Sequence, residues 1–244
     1  MKIYTSIPSS LPQTALTIGF FDGMHIGHRA LLRTLKESGS HCTVLTFVNH
    51  PLKILKPDAP RPGLLTPWPL KLALMEQCGI DAAILLPFTL EFASTPYDKL
   101  LDSFDLSHLI LGQGSAFGKN REGNEKNMVN FAEKKKFSVQ YISKSSLGGE
   151  TISSSTIRSA ITSGDLVLAA RLLGRDHAFY FPAGQTQFAA NEICLPPDGI
   201  YSVRERDKKI EITIDTTEKG RRLTLPYPLP TQTLLSFDKE VMHV

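Results

Sequence analysis

The feature that most constrains this chain is a ten-residue loop, Gly19–His28, with the sequence GFFDGMHIGH. An apolar run, Ala15–Ile18, precedes the loop, and a run typical of a helix, Arg29–Lys36, follows it. The predicted order is therefore strand, tight glycine loop and helix. The first backbone N–H groups of a helix have no partner within the helix, and with the helix dipole they attract anions. Two histidines, His25 and His28, stand at this position, which favours a phosphate-binding site.

A purely structural role for the loop is the alternative. Glycines in a strand-to-helix turn supply positive φ angles, and a single histidine near a helix start is usually a surface residue. Three glycines, an aspartate and two histidines within ten residues favour function over structure alone.

Composition excludes several classes of protein. The 244 residues can form one large core, or one ordinary domain with a smaller one. A hydrophobic content of 41% and a charged content of 21% are typical of a globular protein in water. A net charge of +3 is too small to indicate nucleic-acid binding, and it fits small anionic ligands equally well.

The cysteines and the N-terminus predict the compartment. Cys42, Cys78 and Cys194 have neither CxxC nor His/Cys metal spacing, and each is flanked by apolar residues. This pattern predicts buried thiols in a reducing compartment. The N-terminus lacks the pattern of a signal peptide, and no apolar run approaches the length of a membrane span. We therefore expect a cytoplasmic protein with no membrane partner.

Strands and helices alternate through most of the chain, after a lead-in of residues 1–13. The predicted strands are short apolar runs, namely Ala15–Ile18, His41–Phe47, Asp81–Pro87, Ser107–Gly112 and Phe137–Ile142. Helices are predicted between them at Leu70–Gln77, at Tyr97–Phe104 (with Thr95 as N-cap) and at Asn124–Lys136. This alternation predicts βαβ units and a mostly parallel sheet covered by helices on both faces. Ligands bind such sheets at the carboxyl ends of the strands, near the switch in strand order.

Two further segments carry candidate binding residues. The loop Gln113–Gly123 follows the fourth predicted strand and contains three glycines and two cations. The run Ile152–Arg158 places serines just before a predicted helix, where hydroxyls cap the first turn or donate to a phosphate. Arg158, about one turn into that helix, could pair with phosphate oxygens. A serine-rich N-cap with a solvent-facing arginine is the structural alternative.

The pattern changes near residue 179. Alternating polar and apolar segments follow, at Ile200–Val203, Lys209–Ile214 and Thr233–Phe237, with turn signals between them. They predict a small antiparallel β unit. We therefore expect two domains, residues 1–178 and residues 179–244.

Together these segments closely resemble the bacterial FAD synthetases, which are bifunctional riboflavin kinase/FMN adenylyltransferases, from about Leu16 to Gly174. The opening loop resembles the family's ATP-site motif, a variant of the HxGH nucleotidyltransferase signature. Thr46–Pro51 resembles its flavin-side loop, Leu86–Ala93 a third block, and Ile152–Arg158 its ISSTxIR motif. The resemblance implies an HxGH nucleotidyltransferase of the α/β class: a Rossmann-like, doubly wound parallel sheet followed by a small antiparallel β unit.

The resemblance also implies an activity: transfer of AMP from ATP to the phosphate of FMN, which gives FAD and pyrophosphate. His25 and His28 would hold the α- and β-phosphates, and Ser154 and Arg158 the pyrophosphate side. Asp22 would either form hydrogen bonds within the loop or approach a Mg²⁺ ion that is bound mainly by substrate and water oxygens. The further residues implied to bind nucleotide or flavin are Gly19, Phe20, Phe21, Asp22, Gly23, Gly27, Asn49, His50, Pro51, Gly112, Phe117, Gly118, Ser153 and Ser155.

Two departures from the family pattern lead to further predictions. Gly114 and Ser115 replace an acidic or amide residue and an aromatic one, which predicts an altered flavin affinity or preference. In the kinase region Asn191 of the family's PTAN motif is retained, but Ala189 replaces the threonine and Gln232 stands near the expected catalytic glutamate. An amide cannot accept a hydroxyl proton as a carboxylate can. We therefore predict that riboflavin kinase activity is absent and that the β unit is structural.

Three alternatives stay open at this point. The chain could be an HxGH nucleotidyltransferase with another phosphorylated acceptor, a non-catalytic flavin-binding protein, or a bifunctional enzyme with a minimal kinase. The run Asn49–Pro51 and the kinase remnant disfavour the first, and the intact His25, His28, Ser154 and Arg158 disfavour the second. The sequence predicts no oligomeric state.

Overall fold

The computed structural model describes residues 1–58 and 63–238. Residues 59–62 and the end of the predicted second domain, residues 239–244, lie outside the described residues. The described residues form two compact units. The first is drawn from Met1–Phe21, Gly27–Pro60 and Lys71–Ser145, and the second from Asp22–Ile26, Arg61–Leu70 and Ser146–Val244.

The first unit is built on a six-stranded sheet in the order β1-β4-β3-β2-β5-β6, and every neighbouring pair is parallel. Its strands are β1 (Lys2–Tyr4), β2 (Thr14–Ile18), β3 (His41–Phe47), β4 (Ala82–Leu86), β5 (Leu106–Gly112) and β6 (Ser138–Ile142). All residues of β2 and β4 are buried, as expected for parallel strands covered on both faces. The predicted Rossmann-like parallel sheet is confirmed.

Helices follow the strands in the alternating order predicted. They are α1 (Ile26–Glu37), α2 (Pro51–Leu55), α3 (Trp68–Gln77), α4 (Leu90–Ala93), α5 (Tyr97–Leu101) and α6 (Glu125–Lys135), with a 3-10 turn at Lys119–Arg121. Local chemistry sets several of their ends. Asn124 caps α6 by accepting a hydrogen bond from the Asn127 amide, and Lys136 ends it in the left-handed conformation.

Two predictions in this region are wrong. The supposed lead-in contains β1, an edge strand that pairs with β4, and its largely exposed residues carry no apolar pattern. The N-cap of α5 is Pro96 and not Thr95, and α5 ends at Leu101. The Thr95 hydroxyl donates instead to the Glu91 carbonyl, at 3.2 Å, in the short helix α4. A four-residue helix has too little periodicity to be recognised from sequence.

The second unit contains a short hairpin, two helices and an antiparallel sheet. The hairpin is β7 (Ser146–Leu147) and β8 (Glu150–Thr151), and the helices are α7 (Ser154–Thr162) and α8 (Leu166–Leu173). The sheet consists of β9 (Ala178–Phe181), β10 (Gln187–Ala189), β11 (Gly199–Glu205), β12 (Lys208–Thr217), β13 (Gly220–Thr224) and β14 (Thr233–Phe237). Its order is β10-β13-β12-β11-β14-β9. The predicted antiparallel unit is confirmed, although the sequence indicated only the strands β11, β12 and β14.

The cysteines agree in part with the sequence prediction. Cys42 and Cys194 are buried, Cys78 is half-buried, and all three are free thiols. Burial raises the pKa of the Cys194 thiol to about 11, so this thiol is protonated and unreactive at neutral pH. Within the described parts of the chain, no helix has the length and apolar character needed to span a membrane.

Candidate functional site

A cavity of about 790 Å³ lies in the first unit, at the carboxyl ends of its central strands. The strand order reverses at β2, which has β3 on one side and β5 on the other. Ligands bind parallel sheets at such a switch point. Five phenylalanines line the cavity, namely Phe20, Phe47, Phe88, Phe92 and Phe117. This size and lining fit a planar aromatic ligand.

Several of the residues predicted to bind nucleotide or flavin line this cavity directly, namely Gly19 and Phe20 of the predicted ATP-site motif, and Pro51, Phe117 and Gly118. Asn49 contributes indirectly: its side-chain amide donates to the Phe88 carbonyl at 2.9 Å and accepts from the Phe88 amide at 2.7 Å. His50 caps α2 by accepting from the Leu52 amide at 3.1 Å, and its ring lies 4.7 Å from the Phe20 ring. Both side chains therefore position cavity walls.

The second glycine loop also contributes to the cavity wall. Gly112 ends β5, and its carbonyl accepts from the Ser115 amide at 3.0 Å. A Cβ at Gly118 would lie 2.8 Å from the Tyr97 amide nitrogen, so a side chain cannot fit there. A Cβ at Gly114 would meet no atom within 4 Å. The small residues Gly114 and Ser115 therefore leave this wall open, and the altered flavin preference stays a prediction.

Lys71 is a site residue that sequence reasoning missed. Only 2% of the residue is exposed, and its ammonium donates to the carbonyls of Phe20 at 3.1 Å and Phe47 at 2.9 Å. It also contacts the Thr46 hydroxyl and lies 4.5 Å from the centre of the Phe20 ring. A buried ammonium is stable only with such partners. The available signal was the apolar run Trp68–Met75, in which Lys71 is the one charged residue.

The loop before α1 has an unusual backbone. Phe21, Gly23 and Met24 have φ angles of 54°, 93° and 43°, in the left-handed region. This conformation is ordinary for glycine but strained for the other two residues. Such strain persists only where surrounding contacts enforce it, and it is common at functional sites.

In the second unit, Asp22 joins this loop to the serine-rich motif. Asp22 is 3% exposed, and its carboxylate accepts from the amides of Leu65 at 3.0 Å and Thr66 at 3.1 Å. The carboxylate also forms an ion pair with Arg158, and the Asp22 carbonyl accepts from the Ser154 hydroxyl at 2.8 Å. These contacts bring Asp22 of the Gly19–His28 loop together with Ser154 and Arg158 of the serine-rich motif. These hydrogen-bond partners of the Asp22 carboxylate lie outside the Gly19–His28 loop, whereas the sequence suggested partners within it, and an approach to Mg²⁺ stays a prediction.

Two arginines of the second unit hold this part of the loop. Arg158 also donates through Nε to the Gly63 carbonyl at 2.9 Å. Arg175 donates to the Gly23 carbonyl at 3.0 Å and to the Thr66 hydroxyl at 2.7 Å. Charge-assisted hydrogen bonds of this kind are about twice as strong as neutral ones. No signal in the sequence indicated this role of Arg175.

The remaining predicted residues surround the starts of α1 and α7. His25, 6% exposed, directly precedes α1, while Gly27 and His28 lie in its first turn. The His28 ring packs edge-on against Phe21, with ring centres 5.2 Å apart. At the start of α7, Ser153 is the N-cap and accepts from the Thr156 amide at 3.1 Å, whereas Ser155 is exposed. Their phosphate contacts stay predictions.

The chemistry of the donors argues against a metal site made of protein groups around Asp22. Its carboxylate oxygens already accept two amide hydrogens and the Arg158 guanidinium. In residues 1–58 and 63–238, no group of three or more His, Cys, Asp or Glu side chains is arranged to hold a metal ion.

The sheet topology and the cavity at its switch point define an α/β protein of the Rossmann-like, nucleotidyltransferase type. The family model for FAD synthetase matches residues 7–156. The chain belongs to the FAD synthetase family.

Two relatives come from Listeria monocytogenes. The chain is 29% identical to a bifunctional riboflavin kinase/FMN adenylyltransferase over 213 residues, which cover 78% of this chain and 67% of the relative. It is 30% identical to a protein named FAD synthetase over 196 residues, or 76% of this chain and 79% of that protein. The fold is similar to the crystal structure of a macrolide-efflux protein from Streptococcus pneumoniae. The TM-score is 0.77, and the match covers all of this chain and 92% of that one. At 18% identity, that likeness concerns the fold alone.

Proposed function

We propose that this chain is an FMN adenylyltransferase, which transfers AMP from ATP to the phosphate of FMN. The observation that carries the proposal is the joining of the Gly19–His28 loop to Ser154 and Arg158 through Asp22, in a member of the FAD synthetase family. The same two motifs carried the resemblance to the ATP site of this family.

The chemistry is an in-line displacement at the α-phosphorus of ATP. An oxygen of the FMN phosphate forms a new bond to this phosphorus, and the bond from the α-phosphorus to the bridging oxygen breaks. Pyrophosphate leaves with the electron pair of that bond. FMN supplies its own anionic nucleophile, so the reaction needs no general base. The task of the protein is to position the reactants and to neutralise developing charge.

We assign the phosphates of ATP to the start of α1. His25 and His28 hold the α- and β-phosphates there, with help from the helix dipole. Ser154 and Arg158 hold Asp22 and, in the proposed complex, also contact the leaving pyrophosphate. Mg²⁺ would be held mainly by phosphate and water oxygens and would supply charge neutralisation without a dedicated cage of protein ligands.

The cavity of the first unit takes the isoalloxazine ring of FMN. Its phenylalanine walls offer the flat apolar contacts that a fused aromatic ring needs. The free cysteines fit a cytoplasmic site of action, because thiols persist in reducing compartments.

We further propose that riboflavin kinase activity is absent. Ala189, at the position of the family's threonine, has no hydroxyl to contact phosphate or metal. The Asn191 side chain is used within the sheet: it accepts from the Arg221 amide at 2.7 Å and donates to the Lys219 carbonyl at 2.9 Å.

The test is product analysis by chromatography after incubation with ATP, Mg²⁺ and either FMN or riboflavin. We expect FAD from FMN, and no FMN from riboflavin. His28→Ala should reduce kcat by about 10²- to 10³-fold, as for the loss of one group that stabilises transition-state charge, and should leave the melting temperature unchanged. Absence of FAD would overturn the adenylyltransferase, and FMN made from riboflavin would overturn the loss of the kinase.

A further inference from the structure

We infer that the C-terminal antiparallel sheet positions the adenylyl-transfer loop, and that it acts through the four residues Gly63–Thr66, here named the support segment. This inference rests on the proposed function. Although Ala189 replaces the kinase threonine in the β unit, this unit then contributes to adenylyl transfer by positioning the loop. The contacts from which it is argued all join residues of the second unit.

One side of the support segment is bonded to the C-terminal sheet region. Leu64 forms a parallel β-bridge with Ile193, in the stretch between β10 and β11. The Leu64 amide donates to the Glu192 carbonyl at 2.7 Å, and the Cys194 amide donates to the Leu64 carbonyl at 3.0 Å. The support segment is therefore hydrogen-bonded to the connection between β10 and β11.

Packing brings the two backbones unusually close. A Cβ on Gly63 would lie 2.4 Å from the Cys194 amide nitrogen and 2.6 Å from its Cα, well inside contact distance. The Leu65 side chain is completely buried, in the same apolar cluster as Phe179 and Leu223 of the sheet. The segment is thus fixed by hydrogen bonds, by close backbone contact and by apolar burial.

The other side of the support segment faces the loop. The amides of Leu65 and Thr66 donate to the Asp22 carboxylate, and the Gly63 carbonyl accepts from Arg158. Three of the four residues therefore bond directly to Asp22 or to its ion-pair partner. A displacement of the segment from the sheet would move the groups that hold the strained turn immediately before His25.

His177 supports the sheet side of this arrangement. It lies just before β9, is 2% exposed, and donates through Nε2 to the Cys194 carbonyl at 2.7 Å. Its ring stacks on Phe237 of β14, with ring centres 5.5 Å apart and planes 2° from parallel. His177 thereby orients the peptide whose neighbouring amide bonds to Leu64.

The test is Gly63→Ala. Gly63 is not among the glycines with positive φ, so the added methyl group acts through its contact with Cys194 and not through backbone strain. We expect the KM for ATP to rise at least tenfold and kcat to fall. The affinity for FMN, followed by flavin fluorescence, should change less than twofold, because the flavin cavity belongs to the first unit.

A matched control separates positioning from loss of stability. Ile210→Ala removes a buried side chain from β12 of the same sheet. We expect it to lower the melting temperature at least as much as Gly63→Ala, with an unchanged KM for ATP of the folded enzyme. If both variants raise this KM equally, or if Gly63→Ala leaves it unchanged, the inference is wrong.

A second variant covers the case in which Gly63→Ala does not fold. His177→Gln should then raise the KM for ATP about two- to fivefold, again without a change in FMN affinity, and an unchanged value would reject the inference. The wild-type protein tests the proposed function separately through FAD formation. Should it form none, the variants are compared by the dissociation constant of an unreactive ATP analogue, where equal values would likewise reject the inference.

Discussion

The two halves of the turn before α1 are held by opposite charges. In the first unit, the Lys71 ammonium holds the Phe20 carbonyl at 3.1 Å. In the second unit, Asp22 is the buried charge, and backbone amides and the Arg158 guanidinium hold its carboxylate. A cation thus stabilises the part of the turn that lines the flavin cavity, and an anion the part that leads to His25.

In the proposed complex, the flavin side and the nucleotide side would therefore have separate supports. Breaking a buried ion pair strands a charge, whereas removing a cation from carbonyl partners leaves dipoles unsatisfied. Variants at the two positions should therefore affect different substrates. They should also differ in magnitude, with the larger effect on the Asp22 side.

The largest effect is expected for Asp22→Asn. Asn keeps an acceptor for the Leu65 and Thr66 amides but leaves the Arg158 charge without its ion pair. Loss of one partner of a buried pair costs about 3–5 kcal/mol. We expect kcat/KM for ATP to fall by about 10²-fold, where each tenfold change corresponds to about 1.4 kcal/mol. The free energy of unfolding, measured by chemical denaturation, should fall by a similar amount.

Asp215→Asn is the matched control for that variant. Asp215 pairs with Arg222 in the same unit, but both side chains are partly exposed, at 31% and 42%. Exposed pairs contribute about 0–1 kcal/mol, so both stability and kinetics should change little. Equal losses of stability and of kcat/KM in the two variants would show that burial of the Asp22–Arg158 pair does not increase its contribution.

A smaller and more selective effect is expected for Lys71→Met. The methionine keeps the apolar stem but removes the donor from the carbonyls of Phe20 and Phe47. An unsatisfied buried group costs about 1–3 kcal/mol. We expect the KM for FMN to rise about tenfold while the KM for ATP changes less than twofold in steady-state assays. The exposed Lys126→Met is the control, and an equal rise for both substrates would contradict the separation of the two supports.

The smallest effect at neutral pH concerns His177 on the nucleotide side. Burial lowers the pKa of His177 to about 4, further aided by the nearby Arg175 charge and opposed by the bond to Cys194. The folded protein therefore binds its proton less readily than the unfolded chain, whose histidine has an ordinary pKa of about 6.5. The stability that neutral His177 contributes is complete above pH 6.5 and is lost as the pH falls towards 4, by at most ~3 kcal/mol.

Denaturation midpoints measured between pH 8 and pH 4.5 check this dependence. His177→Gln should flatten the decline below pH 6.5, whereas a variant of the half-buried His108 in the first unit should leave it in place. Identical pH profiles for wild type and His177→Gln would show that another group causes the decline.

Much of the fold could be predicted because its signals are local. The strand His41–Phe47, the helix near Asn124 and the serine cap before Arg158 were all predictable from a few neighbouring residues. Strands β9, β10 and β13 were not predicted, because turns interrupt the alternation of polar and apolar residues in them. They are recognised as strands mainly by their pairing with neighbouring strands.

The site was predictable to the extent that its residues lie in compact motifs. His25, His28 and Asp22 stand in one loop, and Ser154 and Arg158 in another. Lys71 was missed because a lysine on a helix normally extends into water, and only its packing shows that it is buried. Arg175 and the support segment were missed because their contacts with the loop join residues 43 to 152 positions apart.

By itself, the sequence determined the βαβ order, the glycine loop at a helix start and the family to which this chain belongs. These depend on periodicity, capping and motif spacing, which act over a few residues. Only the tertiary structure decided what holds that loop. Lys71 bonds to Phe20, Arg158 and the support segment bond to Asp22, and Arg175 bonds to Thr66 of the support segment. The physical reason is that a buried charge is stable only where the fold brings donors or acceptors to it, and distant segments supply them.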